Sequence, residues 1–286
     1  MSLLAMLLAL GAERLLSQYR RRGAADPVLT RLWPRLPAAL RQFAGTPWLL
    51  AVGGALLVAA IGWQLHFAPF ELAYSAAVLL VCFGPRDLAD DVQRLRAARG
   101  AGDAATVARL NRALQLGPMP DTDHRSLLGA LFIQSHERRF GACLWFMLLG
   151  PAGAVLYRTA SRLSVLTEAP AVQRQAALLH GLLAWLPARI TALLYGLAGS
   201  IDDALDAYSR VQREPVNGAD GWQRRSWSLL AETANAALDW EDAPDSGPMI
   251  ASSLDATLAE VLRMETRATL ILLALVAMFS VGAWVS

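Results

Sequence analysis

The residue whose position asks most for a chemical role is Arg189. It stands near the middle of the run Ala176 to Ala198, which holds no other charged residue. An arginine at the centre of a membrane helix costs about 2.5 to 3.5 kcal/mol on insertion scales, so it is expected to face the bundle interior and to hold an anion. Two residues earlier, Pro187 lacks a backbone donor and frees the Leu183 carbonyl, which predicts a kink or break. Pro151, directly after Gly150, does the same in the apolar run Gly141 to Tyr157. Two adjacent interrupted spans are a pattern that surrounds polar sites in membrane bundles. Arg158 and Arg162 lie just past the end of the first run, and with Arg189 they could grip a phosphate or carboxylate bidentately. The alternatives are headgroup anchoring by Arg158 and Arg162 and a structural ion pair or snorkelling for Arg189.

Other chemistry-bearing residues give weaker patterns. Asp87, Asp90 and Asp91 form one acidic set and Asp202, Asp203 and Asp206 another, each beside an apolar run. Helical spacing puts most of each set on one face, where magnesium and a diphosphate could sit, but acids also suit first helical turns and solvated faces. Histidines 66, 124, 136 and 180 lack metal-ligand spacing with one another or with cysteine, so no metal site and no cofactor is expected. Cys82 and Cys143 sit inside apolar runs and read as reduced core or lipid-facing thiols. The chain carries no Walker loop, no G-x-S-x-G and no H-E-x-x-H. A net charge of +2 gives no reason to expect nucleic acid as a partner.

The elements that must position these residues are long apolar helices. Of 286 residues, 55% are hydrophobic and 17% charged, against roughly 25% charged in an ordinary soluble domain. Mean hydropathy is +0.35. Trp48 to Gln64 and Pro69 to Phe83 read as a transmembrane hairpin, Gly141 to Tyr157 and Ala176 to Ala198 as a second pair, and Ala268 to Val285 as a closing span. Met1 to Ala12 is shorter, and its charges follow the apolar stretch, so it reads as an uncleaved anchor. The expected fold is an all-α, polytopic membrane domain over 1–286, with a polar cytoplasmic helical segment at 84–140 and an acidic helical segment at 199–265. Residues 18–45 carry six arginines and one acid, which places them in the cytoplasm; the simplest topology then sets the link 158–175 outside. The expected surroundings are a lipid bilayer, here the bacterial inner membrane, crossed several times.

Two runs carry a family likeness: G-P-A-G-A-V-L-Y-R from Gly150 to Arg158, and W-L-P-A-R-I-T from Trp185 to Thr191. Together they resemble the CobD/CbiB superfamily of membrane proteins. The short apolar start with Glu13-Arg14-Leu15, the length and the closing span are similar to its AmpE branch, associated with regulation of β-lactamase induction. The resemblance implies a regulatory or sensory membrane protein that is not an enzyme, with Arg158, Arg162, Arg189 and Thr191 binding an anionic, phosphate-bearing or cell-wall-derived ligand. The alternative it implies is an ATP-dependent, membrane-bound amide synthase of cobalamin biosynthesis. That branch has Asn-Thr-Leu-Asp where Ser161, Arg162, Leu163 and Ser164 stand here, and Glu-Asn-Thr near Gln134, Ser135 and His136. Those replacements favour the sensor.

Overall fold

The computed structural model describes residues 2–17, 27–65, 68–84, 88–114, 124–167, 169–216, 218, 220–238 and 251–285. Among them the chain is almost wholly helical, with no strand. The helices are α1 (Ser2–Ser17), α2 (Pro27–Leu32), α3 (Ala38–Gln42), α4 (Thr46–Gln64), α5 (Ala68–Phe83), α6 (Leu88–Gly100), α7 (Ala104–Leu114), α8 (His124–Ser135), α9 (Gly141–Leu166), α10 (Pro170–Ala198), α11 (Ile201–Arg213), α12 (Gly221–Ala237) and α13 (Ala251–Val285). A short 3₁₀ turn, Trp33–Arg35, lies between α2 and α3, and a π turn, His136–Phe140, joins α8 to α9. Four helical stretches are long and apolar enough to cross a membrane: Thr46–Gln64, Pro69–Gly100, Leu127–Leu166 and Pro170–Ala198. Large apolar side chains on their outer faces, such as Leu56, Leu57, Leu148 and Leu197, are left uncovered, as lipid-facing residues would be. The closing apolar run belongs to α13, a single helix of 35 residues.

The third stretch does not run straight. Gly150 has φ 64° and ψ −152°, a backbone conformation that glycine alone adopts freely. Pro151 follows at once, and its fixed φ and missing N–H suit the first position of a new helix. The chain folds back here. At 1.5 Å per residue Glu137 and Ser161 would stand about 36 Å apart on one straight helix, yet Ser161 Oγ donates to Glu137 Oε2 at 2.6 Å. Pairs stepping away from the turn confirm a hairpin: Gly153 lies against the Trp145 carbonyl, and Gly141 against the Tyr157 ring. A side chain at either glycine would collide with its partner, so the two arms approach this closely only because both are glycine.

This hairpin corrects the sequence-based topology. The link between α9 and α10 lies beside residues 33–42, sharing a cavity with them through Leu166 and Ala169, and Trp48 Nε1 donates to Gln175 Oε1 at 3.2 Å. The link 158–175 therefore sits at the same end of the bundle as the described part of the arginine-rich segment, not at the opposite end. The physical reason is that the run 127–166 turns at Gly150 and returns.

Pro187 acts differently. All residues of α10 keep helical backbone angles across it, and the freed Leu183 carbonyl accepts a hydrogen bond from Trp145 Nε1 at 2.9 Å. The expected break is a helix-to-helix tie. Within the acidic segment, α12 packs along α10 and α8 and buries Gln223, Ser226, Thr233 and Asn235 in the bundle. Arg20 to Arg22, Asp26, His66, Asp87 and the stretch Glu241 to Pro248 lie outside the described residues, as does the His124 side chain.

Candidate functional site

The bundle is organised around a charged island, His136-Glu137-Arg138-Arg139, flanked on both sides by apolar sequence. It forms the π turn, closed by the Gly141 N–H donating to the His136 carbonyl. Such one-turn π insertions recur at functional sites because they re-aim side chains out of the ordinary helical register. Each member of the island faces a different element. Arg139 reaches Glu13 on α1 at 3.3 Å, and Arg138 reaches Asp91 on α6 at 3.6 Å. Glu137 turns inward.

Its carboxylate is enclosed by donors from three helices. Oε2 accepts from Tyr157 Oη at 3.0 Å, from Ser161 Oγ at 2.6 Å and from His180 Nε2 at 3.0 Å, while Oε1 accepts from Trp227 Nε1 at 2.9 Å. The Glu137 backbone carbonyl accepts from Arg158 at 3.3 Å. On the far side of His180, Gln223 Nε2 donates to Nδ1 at 2.8 Å, which leaves Nε2 carrying the hydrogen that Glu137 accepts. That contact is therefore a hydrogen bond held in register by Gln223. The preceding residue, His136, meets Thr191 Oγ1 through Nδ1 at 3.0 Å, and its Nε2 is buried with no partner among the described residues. Tyr157 packs edge-on to His136 and tilted against His180, which excludes water from the hub.

Three arginines do gather here, but they are Arg138, Arg158 and Arg162, the last two within electrostatic reach of the first. Arg189 is elsewhere. It donates to its own helix at the Trp185 carbonyl, 2.8 Å away, and its guanidinium lies 4.1 Å over the Trp185 ring. In place of the expected inward-facing Arg189 with an anion at hand, the guanidinium lies in this stack, beside Tyr208 of α11. Thus Arg158 and Thr191 join one cluster at His136-Glu137, Arg162 borders it, and Arg189 does not take part. Asp90 is half-exposed, and Asp202, Asp203 and Asp206 are exposed on α11, so among the described residues of the acidic sets only Asp91 is drawn in. No group of three metal-ligating side chains occurs among the described residues, and both cysteines are buried and unbridged.

Sequence reasoning missed Glu137, His180, Gln223 and Trp227. The signal for Glu137 was present: Leu127 to Ile133 before it and Gly141 to Gly150 after it are free of charge, so the island is enclosed by apolar helix on either side.

Fold and site define a helical protein with the dimensions and apolar surface of a membrane protein, assembled around a buried, fully hydrogen-bonded carboxylate. The chain is 27% identical over 230 residues to the cobalamin biosynthesis protein CobD of Chromobacterium violaceum, an overlap that covers 73% of this chain and 64% of that protein's length. No family model and no solved structure matches the chain.

Proposed function

We propose that this protein is a bacterial inner-membrane enzyme of the cobalamin-synthesis type, which joins a carboxylate-bearing corrinoid to an amine. One observation carries this reading. The two runs that resemble the CobD/CbiB superfamily are some 30 residues apart in sequence, yet Tyr157 and Arg158 from the first and Thr191 from the second all bond to the dipeptide His136-Glu137. The similarity to the Chromobacterium protein supports the same direction. Amide formation from a carboxylate and an ammonium group is driven by cleavage of a nucleoside triphosphate: the departing carboxylate oxygen leaves within the released phosphate, and no free water forms. The amine must lose a proton. His136 Nε2, the unbonded ring nitrogen, is the group placed to take it, and Thr191 fixes its ring. Arg138, Arg158 and Arg162 supply the positive field for the substrate's carboxylate or phosphate. Glu137 and His180 position these groups.

Complementation tests the proposal. A strain lacking the corrinoid amide synthase should regain cobalamin-dependent growth with the wild-type chain and with Arg189→Ala, and fail to grow with His136→Ala or with Arg158 and Arg162 both changed to Ala. Absence of growth with a correctly inserted wild-type chain overturns it. A second reading, a regulator of β-lactamase induction that senses an anionic cell-wall fragment, is favoured by Ser161 and Ser164, which stand where the synthase branch has an amide and a carboxylate, and by the closure of Glu137 on every side. Altered β-lactamase induction in a deletion strain, restored by the wild-type chain, supports this second reading.

A further inference from the structure

Away from the hub, the 3₁₀ turn, α3 and the α9–α10 link enclose a cavity of about 390 Å³, lined by Trp33, Ala38, Arg41, Gln42, Leu166 and Ala169 among others. Its level in the bundle is fixed by the spans themselves. Helix α4 begins at Thr46, the returning arm of α9 ends at Leu166 and α10 begins at Pro170, so three long apolar helices terminate around it. A cavity at such a plane opens where lipid headgroups lie. The short elements that wall it are amphipathic: Leu32, Leu40 and Phe43 are exposed apolar residues, and Arg31, Arg35 and Arg41 alternate with them. Arg41 differs from the other two in lining the cavity, and its Nε is shut off from solvent with no hydrogen-bond partner among the described residues. A buried, unbonded guanidinium N–H is costly unless an acceptor comes to it.

We propose that this cavity binds the phosphodiester headgroup of an anionic phospholipid. Arg41 grips the phosphate through its planar fork, Gln42 adds a donor, and Trp33 takes the interfacial position common to indole rings. Leu32, Leu40 and Phe43 meet the upper acyl chains. The volume lies within the range of small-molecule sites, large enough for a phosphoglycerol group. Charge and apolar surface together select a lipid, since free phosphate has no use for the exposed leucines.

Purified full-length protein in a neutral detergent tests this by its unfolding midpoint on titration with phosphatidylglycerol, phosphatidylcholine or inorganic phosphate. Phosphatidylglycerol should raise the midpoint of wild type and of Arg35→Gln, and its apparent affinity should fall about tenfold in Arg41→Gln, the loss expected for one bidentate charged contact. Ala38→Trp, which fills the cavity from an exposed position and leaves Arg41 intact, should abolish the response and serves also if Arg41→Gln fails to fold. An equal response to phosphatidylcholine or to inorganic phosphate, or an undiminished phosphatidylglycerol response in Ala38→Trp, overturns the proposal.

Discussion

Glu137 is the residue whose removal should cost most. Tyr157, Ser161, His180 and Trp227 each direct one hydrogen at its carboxylate, and in Glu137→Ala those four donors remain buried with nothing to accept them. At about 1 kcal/mol or more for each orphaned donor the loss comes to roughly 4 kcal/mol. That is a large part of the 5 to 15 kcal/mol that holds a typical domain together. Glu137→Gln keeps the shape but turns an NH₂ toward donors, so about half the loss should remain. Denaturant unfolding in mixed micelles, followed by tryptophan fluorescence, measures both variants. A Glu137→Ala protein within about 1 kcal/mol of wild type would refute the view that this carboxylate holds the hairpin, α10 and α12 together.

The remaining predictions concern the elements that build the hub. Trp145→Phe should destabilise by about 1 kcal/mol by leaving the Leu183 carbonyl unpaired, and Pro187→Ala, which returns an N–H to that carbonyl, should recover most of the loss in a double-mutant cycle. Gly150→Ala should cost about 1 to 3 kcal/mol, because an added Cβ resists the backbone angles of the turn, and a thermal unfolding series would show it. At the start of α7, Asp103 Oδ1 accepts the Thr106 N–H at 3.0 Å, and its hydrogen bonds with Thr106 hold the carboxyl below the usual carboxylate range. A depressed folded-state value means the cap's contribution is present above the unfolded carboxylate value near 3.9 and is lost as pH falls through the lower folded one. Hydrogen exchange at the Thr106 amide should accelerate in that acid window and stay flat in Asp103→Asn.

Much of the bundle was legible because absence of charge is a strong signal over helical length. Trp48 to Gln64 and Ala176 to Ala198 lie within α4 and α10, and the break at Gly150-Pro151 was visible as a glycine beside a proline. What that break does was not legible: an interrupted run can kink onward or turn back, and only the contacts Gly141 to Tyr157 and Gly153 to Trp145 decide it. Arg189 misled because depth in the run was weighed without helical phase. Leu182, Leu186, Leu193 and Leu197 share its exposed stripe, whereas Ala184, Ala188, Thr191, Ala192 and Tyr195 form the buried one. In membrane bundles the small residues face the neighbouring helices, so the sequence already held that distinction. Glu137 was hidden by the arginines beside it, which made a buried hub resemble an ordinary basic loop.

The fold-back at Gly150 is what brings the two family-like runs onto one dipeptide, His136-Glu137, and sidedness tests it most directly. With Cys82 and Cys143 replaced by Ala, single cysteines at Gln42 and at Ala171 can be exposed to a membrane-impermeant maleimide in sealed vesicles of one orientation. Both should label from the same face of the membrane. Labelling from opposite faces would mean that the run 127–166 passes through without returning, and the hub around His136-Glu137 would not form.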